Sequence, residues 1–226
     1  MPDLQFRVTG VEPTVRGLIP LLQFKLEIGN EPATQPIHTA ILQVQIQIEP
    51  ARRRYSATEK EKLVELYGSP DRWGQTLRNS LWTHAVTTLR GFTGNTTALL
   101  PVPCTYDLQV SAAKYFFALE EGDVSLLFLF SGTVFYDAAG RLQAELIPAS
   151  KEARFRLPID HWRTLMEQHY PNSAWLALRR DVFDQLYAYK RQHGLLTWEE
   201  AVERLLAERS ADESTADQPE LTGAGP

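Results

Sequence analysis

One run of the sequence, Leu126–Tyr136, constrains the fold more than any other. It reads Leu-Leu-Phe-Leu-Phe-Ser-Gly-Thr-Val-Phe-Tyr and carries no charge. The run is too short to cross a bilayer, so it predicts a β-strand that is buried on both faces. We therefore expect a central strand, with one face in a sandwich core and the other end or face capped by a helix from 112–119 or from the region after Pro158. Its one interruption, Ser131-Gly132, predicts a bulge or a close backbone approach.

Alternating apolar and polar residues predict the other strands. The clearest case is 40–48, in which apolar residues alternate with Gln43, Gln45 and Gln47. A row of glutamines indicates a sheet face that is either solvated or turned toward a partner. A strand within 99–110 contains two prolines, which places it at an edge. About nine short strands separated by turns predict an antiparallel β-sandwich, immunoglobulin-like or similar.

The pattern changes at Pro158, after which apolar residues recur at helical spacing. Residues 175–209 then predict a short strand followed by two helices, the second of which starts with a capping box formed by Thr197 and Glu200. The fold class is therefore mainly β with an α-helical C-terminal segment. The predicted boundaries are a β-sandwich domain at 1–157, a helical appendage at 158–209 and a disordered acidic tail at 210–226.

Charge and composition disfavour several functional classes. The chain of 226 residues has a formal net charge of −5. Most of that charge lies in the tail at 210–226, so the body is nearly neutral and has no electrostatic reason to bind nucleic acid. Without a basic N-terminal signal or an apolar stretch of about 20 residues, we expect a cytoplasmic protein with no membrane span.

The sequence also lacks the common catalytic and metal-binding motifs. Cys104 is the single cysteine, so neither an internal disulfide nor a thiolate cage can form within one chain. The five histidines show no chelating spacing. There is neither a nucleophile elbow around Ser131 nor a phosphate-binding loop. We therefore expect no enzymatic activity, no metal and no cofactor.

Several residues are candidates for binding a partner. Arg52, Arg53 and Arg54 could grip a phosphate or an acidic partner, although a solvated strand end before a helix is the more ordinary interpretation. Cys104 could be a reactive thiol or a ligand in a shared site, but nothing nearby in sequence would lower its pKa, which favours a buried inert cysteine. The candidate residues are Arg52, Arg53, Arg54, Trp73, Trp82, Cys104, Tyr106 and Trp175.

Two further interpretations of these candidates remain open. Trp73 and Trp82, with Phe92 and Tyr106, could line a ligand pocket, or they could belong to the sandwich core. Residues 175–209 resemble a ribbon-helix-helix unit, in which two chains pair their strands and strand residues read DNA. Here the reading positions would include Trp175, which lacks the polar groups that base readout needs. The segment therefore favours packing or a homodimer over DNA binding.

Several stretches together resemble an uncharacterised bacterial family, a domain of unknown function. Its genes tend to lie near those of uptake nickel-iron hydrogenases. The resemblance implies hydrogenase subunits or maturation factors as partners, but no activity and no functional residues. The matching stretches are Ile48–Ser56, Leu81–His84, Gly91–Gly94, Leu100–Asp107, Leu129–Phe135 and Pro171–Leu176.

The leading hypothesis is a non-enzymatic accessory or adaptor protein that acts through protein–protein contacts, in hydrogenase assembly or complex formation. One alternative is a dimeric DNA-binding regulator that uses 175–209. The other is a ligand-binding module with a pocket near Trp73, Trp82 and Cys104.

Overall fold

The chain divides into two compact units, Met1–Ala174 and Trp175–Pro226. The first unit contains the predicted boundary at Pro158, because the helix that follows this proline packs on strands of the sandwich. The computed structural model describes residues 1–14, 17–104, 110–173 and 178–216.

The strands of the first unit are β1 (Asp3–Pro13), β2 (Leu21–Glu31), β3 (Ile37–Ile48), β4 (Ser80–Leu89), β5 (Asn95–Pro103), β6 (Asp123–Ala138), β7 (Arg141–Leu146) and β8 (Glu152–Pro158). Its α-helices are α1 (Ala57–Tyr67), α2 (Trp73–Thr76), α3 (Val110–Ala118) and α4 (Ile159–His169). Short 3₁₀ helices cover Pro50–Arg52 and Pro70–Arg72. The second unit contains α5 (Arg180–Gln192) and α6 (Trp198–Ala216).

The strands form two antiparallel sheets, which confirms the predicted β-sandwich. The smaller sheet has the order β1-β2-β5, and the larger has the order β4-β3-β6-β7, with β8 also paired to β6. Pro101 and Pro103 lie in β5, at the edge of the smaller sheet. The edge position suits proline, which has no backbone N–H to give to a second neighbour.

Alternation turns one face of each sheet inward, and aromatic rings from both sheets meet there. Phe24 of β2 packs edge-on against Phe128 of β6, with ring centroids 5.1 Å apart, and against Trp82 of β4 at 6.3 Å. Phe6 of β1 stacks on Phe130 of β6 at 4.2 Å. Rings arranged in this way add favourable quadrupole contacts to the burial of apolar area. The core between the sheets therefore anchors the first unit.

The apolar run that dominates the sequence lies in β6, which is central as predicted. Its first half pairs with β8, its second half pairs with β7, and β3 lies along the other side. The expectation that a helix covers its second face is wrong over most of the strand. On that face Leu127 is buried, but Leu129 and Phe135 are half-buried and Ser131 is exposed. The apolar residues of this face lie on an open sheet surface instead.

Gly132 is the close backbone approach that the sequence predicted. Its φ of +132° lies in a region that L side chains rarely adopt, and an added Cβ would lie 2.0 Å from the carbonyl oxygen of Ile41. The glycine therefore lets β6 pass close to β3 where the two strands pair.

Local signals identified the helices well. Ser56 and Glu59 form a capping box at the start of α1, and Gly68 ends that helix with a φ of 72°. Thr197 and Glu200 form the second box, at the start of α6. The disorder expected from residue 210 onward stays a prediction, and α6 extends to Ala216. The predicted strand around 176 and the rest of the acidic tail lie outside the described residues.

Candidate functional site

The arginine triplet contributes three side chains with different surroundings. Arg53 is only 11% exposed and donates to Glu59 Oε1 at 2.6 Å and to the backbone carbonyl of Glu121 at 3.1 Å. Its guanidinium also lies 5.1 Å from the centre of the Tyr55 ring. Arg53 therefore joins the start of α1 to the α3–β6 connection, which is a structural role rather than a free binding group.

Glu59 is the acceptor at the centre of this junction. Besides Arg53, it accepts the backbone N–H groups of Ser56 and Glu120, each at 2.9 Å. Burial by itself raises the pKa of the carboxyl, but the two N–H donors and the Arg53 guanidinium outweigh burial and hold that pKa below its ordinary value. Glu59 is therefore ionised at neutral pH, and both of its carboxylate oxygens accept hydrogen bonds within the protein.

Arg52 belongs to a second ion cluster, around the buried carboxylate of Glu49. Arg52 and Arg154 each place Nε 3.2 Å from Glu49 Oε1, and the Ser125 hydroxyl donates to Oε2 at 3.0 Å. Two cations and one hydroxyl offset the desolvation of this carboxylate. The cluster lies where β3 ends beside β6 and β8.

Arg54 opens onto a surface groove of 980 Å³. Arg156 lines the same groove, and both arginines are exposed and form no ion pair with the residues that the structure describes. Glu121 and Asp123 line it as well, and the groove holds four arginines and four acidic residues in all. Because the two signs balance, the groove has no net attraction for a polyanion.

The three residues of the expected ligand pocket are buried. The indole N–H of Trp73 donates to the carbonyl of Gly68 at 2.8 Å, and Trp82 contacts the Phe24 ring in the sandwich core. A chain of ring contacts joins the two tryptophans through Tyr67, Tyr115 and Phe116. The interior between them is therefore packed with aromatic rings.

Cys104 is 2% exposed, and burial raises the pKa of its thiol to about 12. The side chain is a neutral thiol at physiological pH, which leaves it without the thiolate that nucleophilic attack or metal binding requires. Tyr106 and Trp175, the other two candidate residues, lie outside the described residues.

A surface that the candidate residues do not include is the outer face of the five-stranded sheet. The register places Gln43 of β3 between Val86 of β4 and Ser131 of β6, and Gln45 between His84 and Leu129. In the part of the chain that the structure describes, the amides of Gln43 and Gln45 form no hydrogen bond with protein groups. Both amides therefore keep their donor and acceptor capacity for solvent or for a partner.

Apolar side chains interrupt this row of amides. Val86 is 58% exposed, Leu81 is 52% exposed and Ile41 is 41% exposed. We name these residues with the two glutamines the outer-sheet face: Ile41, Gln43, Gln45, Leu81 and Val86. The alternation in β3 predicted the glutamines, but it could not predict their apolar neighbours, because strand order and register decide which residues of β4 lie beside them.

None of the described helices is long and apolar enough to span a membrane. Within 1–14, 17–104, 110–173 and 178–216, no three His, Cys, Asp or Glu residues are grouped so that they could hold a metal ion.

The fold defines the class of this protein as an antiparallel β-sandwich followed by a C-terminal helical unit. A family of unknown function, DUF6084, matches residues 1–214, and the chain belongs to this family. The expectation of an uncharacterised domain family is thereby confirmed. No curated protein matches the chain.

Solved structures match the chain at low similarity. The CARDB domain of a Pyrococcus furiosus protein in complex with di-metal ions is 15% identical, with 70% of this chain and 92% of that chain covered and a TM-score of 0.27. Beta-glucosidase 3B from Thermotoga neapolitana in complex with alpha-D-glucose is 12% identical, with 69% and 17% covered and a TM-score of 0.24. The beta-glucosidase from Kluyveromyces marxianus in complex with glucose is 7% identical, with 69% and 15% covered and a TM-score of 0.24. Scores this low carry no argument about function.

Proposed function

We propose that the protein is a non-enzymatic accessory or adaptor protein that binds a partner protein through the outer-sheet face. The observation behind this proposal is that unpaired amides alternate there with exposed apolar side chains. Val86 lies opposite Gln43 in the strand register. A partner that contacts this position could bury the Val86 side chain and form a hydrogen bond with the Gln43 amide. Contiguous exposed apolar groups with a polar surround are typical of protein-binding surfaces.

The inner side of the same sheet makes this face suitable for binding. Leu42, Val44 and Ile46 of β3 alternate with the glutamines and are buried in the core. The backbone of the face is therefore already ordered before a partner arrives, which lowers the entropy cost of association. The ion cluster around Glu49 lies at the β3 end of the face and would supply part of a polar rim.

The first partners to test are hydrogenase subunits and hydrogenase maturation factors, because the family resemblance of the sequence suggests that setting. The proposal assigns no catalytic residue. It treats the Arg54 groove as an accessory surface, since its balanced charges select no particular ligand.

The test is a binding titration of the purified chain against each of these hydrogenase proteins, by calorimetry or biolayer interferometry. Val86→Glu and Leu81→Glu place a charge on the outer-sheet face, and each should weaken binding by about tenfold or more. Leu99→Glu is the matched control, because Leu99 is 56% exposed on a strand of the other sheet. The control should bind like the original protein.

Equal binding by all three variants would show that the partner uses another surface. If no hydrogenase protein binds, and deletion of the gene leaves hydrogenase activity unchanged, the hydrogenase assignment is wrong.

Neither alternative function gains support from a specific observation. The ligand-pocket hypothesis relied on Trp73, Trp82 and Cys104, which are buried side chains. The DNA-binding hypothesis depends on a strand that lies outside the described residues, and it remains a prediction.

A further inference from the structure

The α5–α6 unit carries an apolar face that its own two helices leave open. The Trp198 ring at the start of α6 packs against two rings of α5. Its centroid lies 5.2 Å from that of Phe183 and 6.0 Å from that of Tyr187. Farther along, the Tyr189 hydroxyl donates to the Glu208 carboxylate at 3.0 Å. Among residues 178–209, Ala201 is the one fully buried side chain.

The exposed apolar side chains follow helical spacing on both helices. Phe183 is 40% exposed and Leu206 is 60% exposed, although both belong to the apolar stripes of their helices. The exposed set is Leu178, Val182, Phe183, Tyr187, Leu196, Trp198, Val202, Leu205 and Leu206. Helices of this length depend on the packing of an apolar face for most of their stability, so this face needs a partner.

Charges flanking the face indicate which partner fits. The last turn of α5 carries Lys190 and Arg191, and the first turns of α6 carry Glu199 and Glu203. Within the described residues none of these four side chains forms an ion pair with another residue, although Lys190 and Arg191 lie over aromatic rings. One surface thus presents both signs, each beside apolar residues.

A surface that presents both signs is complementary to itself. In a two-fold contact, the patch of one chain meets the same patch of another, so α5 can lie against α6 of the second copy. Such a pairing brings basic groups to acidic groups twice, whereas α5 against α5 would bring like charges together.

We propose that a second copy of this chain covers the apolar face of the α5–α6 unit, so that two such units form a four-helix dimer. The end of α5 with Lys190 and Arg191 lies beside Glu199 and Glu203 of the second copy, and the apolar stripes form the shared core. This dimer is independent of the proposed partner site, because the outer-sheet face belongs to the other unit. It would make the adaptor bivalent.

The first experiment measures the mass of the full chain by analytical ultracentrifugation between about 1 and 100 µM, a range that brackets moderate dimer affinities. The original protein should be a dimer at the upper end. Phe183→Glu and Leu206→Glu should each raise the dimer dissociation constant by about a hundredfold, because a charge would enter the shared core. Gln185→Glu is the control, since it adds the same charge to an exposed position on the opposite side of α5.

The second experiment exchanges the flanking charges between two chains. One variant carries Lys190→Glu with Arg191→Glu, and the other carries Glu199→Lys with Glu203→Lys. Each variant alone should dimerise about tenfold more weakly, and an equimolar mixture should recover dimers that contain one chain of each kind. Rescue on mixing reports a contact between chains, because each chain carries only one set of reversals and mixing changes no charge pair within a chain.

Several results would overturn the proposal. A monomer throughout the concentration range excludes the dimer. A dimer that survives Phe183→Glu and Leu206→Glu uses another surface. A dimer that is lost in those variants but shows no rescue on mixing contradicts the α5-against-α6 pairing. Far-ultraviolet circular dichroism of the Gln185→Glu and charge-reversed chains verifies that their helices remain folded.

Discussion

The two units of this chain achieve burial to very different extents, although the sequence specifies the elements of both clearly. In the sandwich, side chains such as Phe24 and Phe128 are fully buried between two sheets. In the α5–α6 unit, α5 is strongly amphipathic and α6 begins with a capping box, yet Ala201 is the one fully buried side chain among residues 178–209. Capping and periodicity therefore define helices without supplying the layer that covers them. The sandwich contains its own second layer, whereas the proposed dimer would supply the layer that covers the helical pair.

The largest expected difference between the two units concerns an aromatic side chain in each. Phe128→Ala should lower the free energy of unfolding by about 3–5 kcal/mol, because it opens a cavity in a closed core. Phe183→Ala should cost less than about 1 kcal/mol in dilute solution, since Phe183 is already 40% exposed. Urea denaturation followed by circular dichroism at low micromolar concentration measures both. Equal losses would mean that Phe183 is buried within one chain in solution, as Phe128 is, and that the two units do not differ in burial.

Two glycine-to-alanine substitutions test how closely β6 and β3 pack in the larger sheet. Gly132→Ala should destabilise by about 3 kcal/mol, because the new Cβ would meet the Ile41 carbonyl of β3 and the backbone φ is positive. Gly10→Ala in β1 is the control, since no atom lies within 4 Å of its added Cβ. Its effect should stay within about 1 kcal/mol. A tolerant Gly132 site would show that β6 can move away from β3.

Sequence patterns predicted the elements better than their surroundings. The capping pairs of α1 and α6 depend on residues three apart, so sequence spacing alone identifies them. The open second face of β6 was not predictable in the same way, because an apolar run does not reveal whether a layer covers it. Likewise, Gln43 marked an outward face, but only the register with β4 brings Val86 beside it. The buried role of Arg53 was not predictable either, because it depends on a contact with Glu121, which lies 68 residues away in the chain.

The third test concerns pH and the junction at Glu59. The pKa of this carboxyl is lowered in the folded state, so its contribution is complete above the ordinary value of 4.5 and is lost as pH falls through the lower folded value. Glu59→Gln should cost about 2 kcal/mol at pH 7, because Arg53 loses its acceptor charge. It should also flatten the decline of stability below pH about 4.5. Glu61→Gln on the exposed side of α1 is the control, and an unchanged acid profile for Glu59→Gln would refute this account of the junction.

The smallest effect is expected for the ion pair Arg180–Asp184 on α5, whose Nε–Oδ1 distance is 3.1 Å. Its side chains are 88% and 57% exposed, so solvent screens the attraction and both side chains lose little by separating. Asp184→Asn should change the free energy of unfolding by less than about 0.5 kcal/mol, against the larger loss for the buried pair of Arg53 and Glu59. Denaturant titration at low and high salt measures the difference. A salt-sensitive loss of more than about 1 kcal/mol would show that Asp184 lies in a desolvated contact, and the polar side of α5 would then belong to an interface as well.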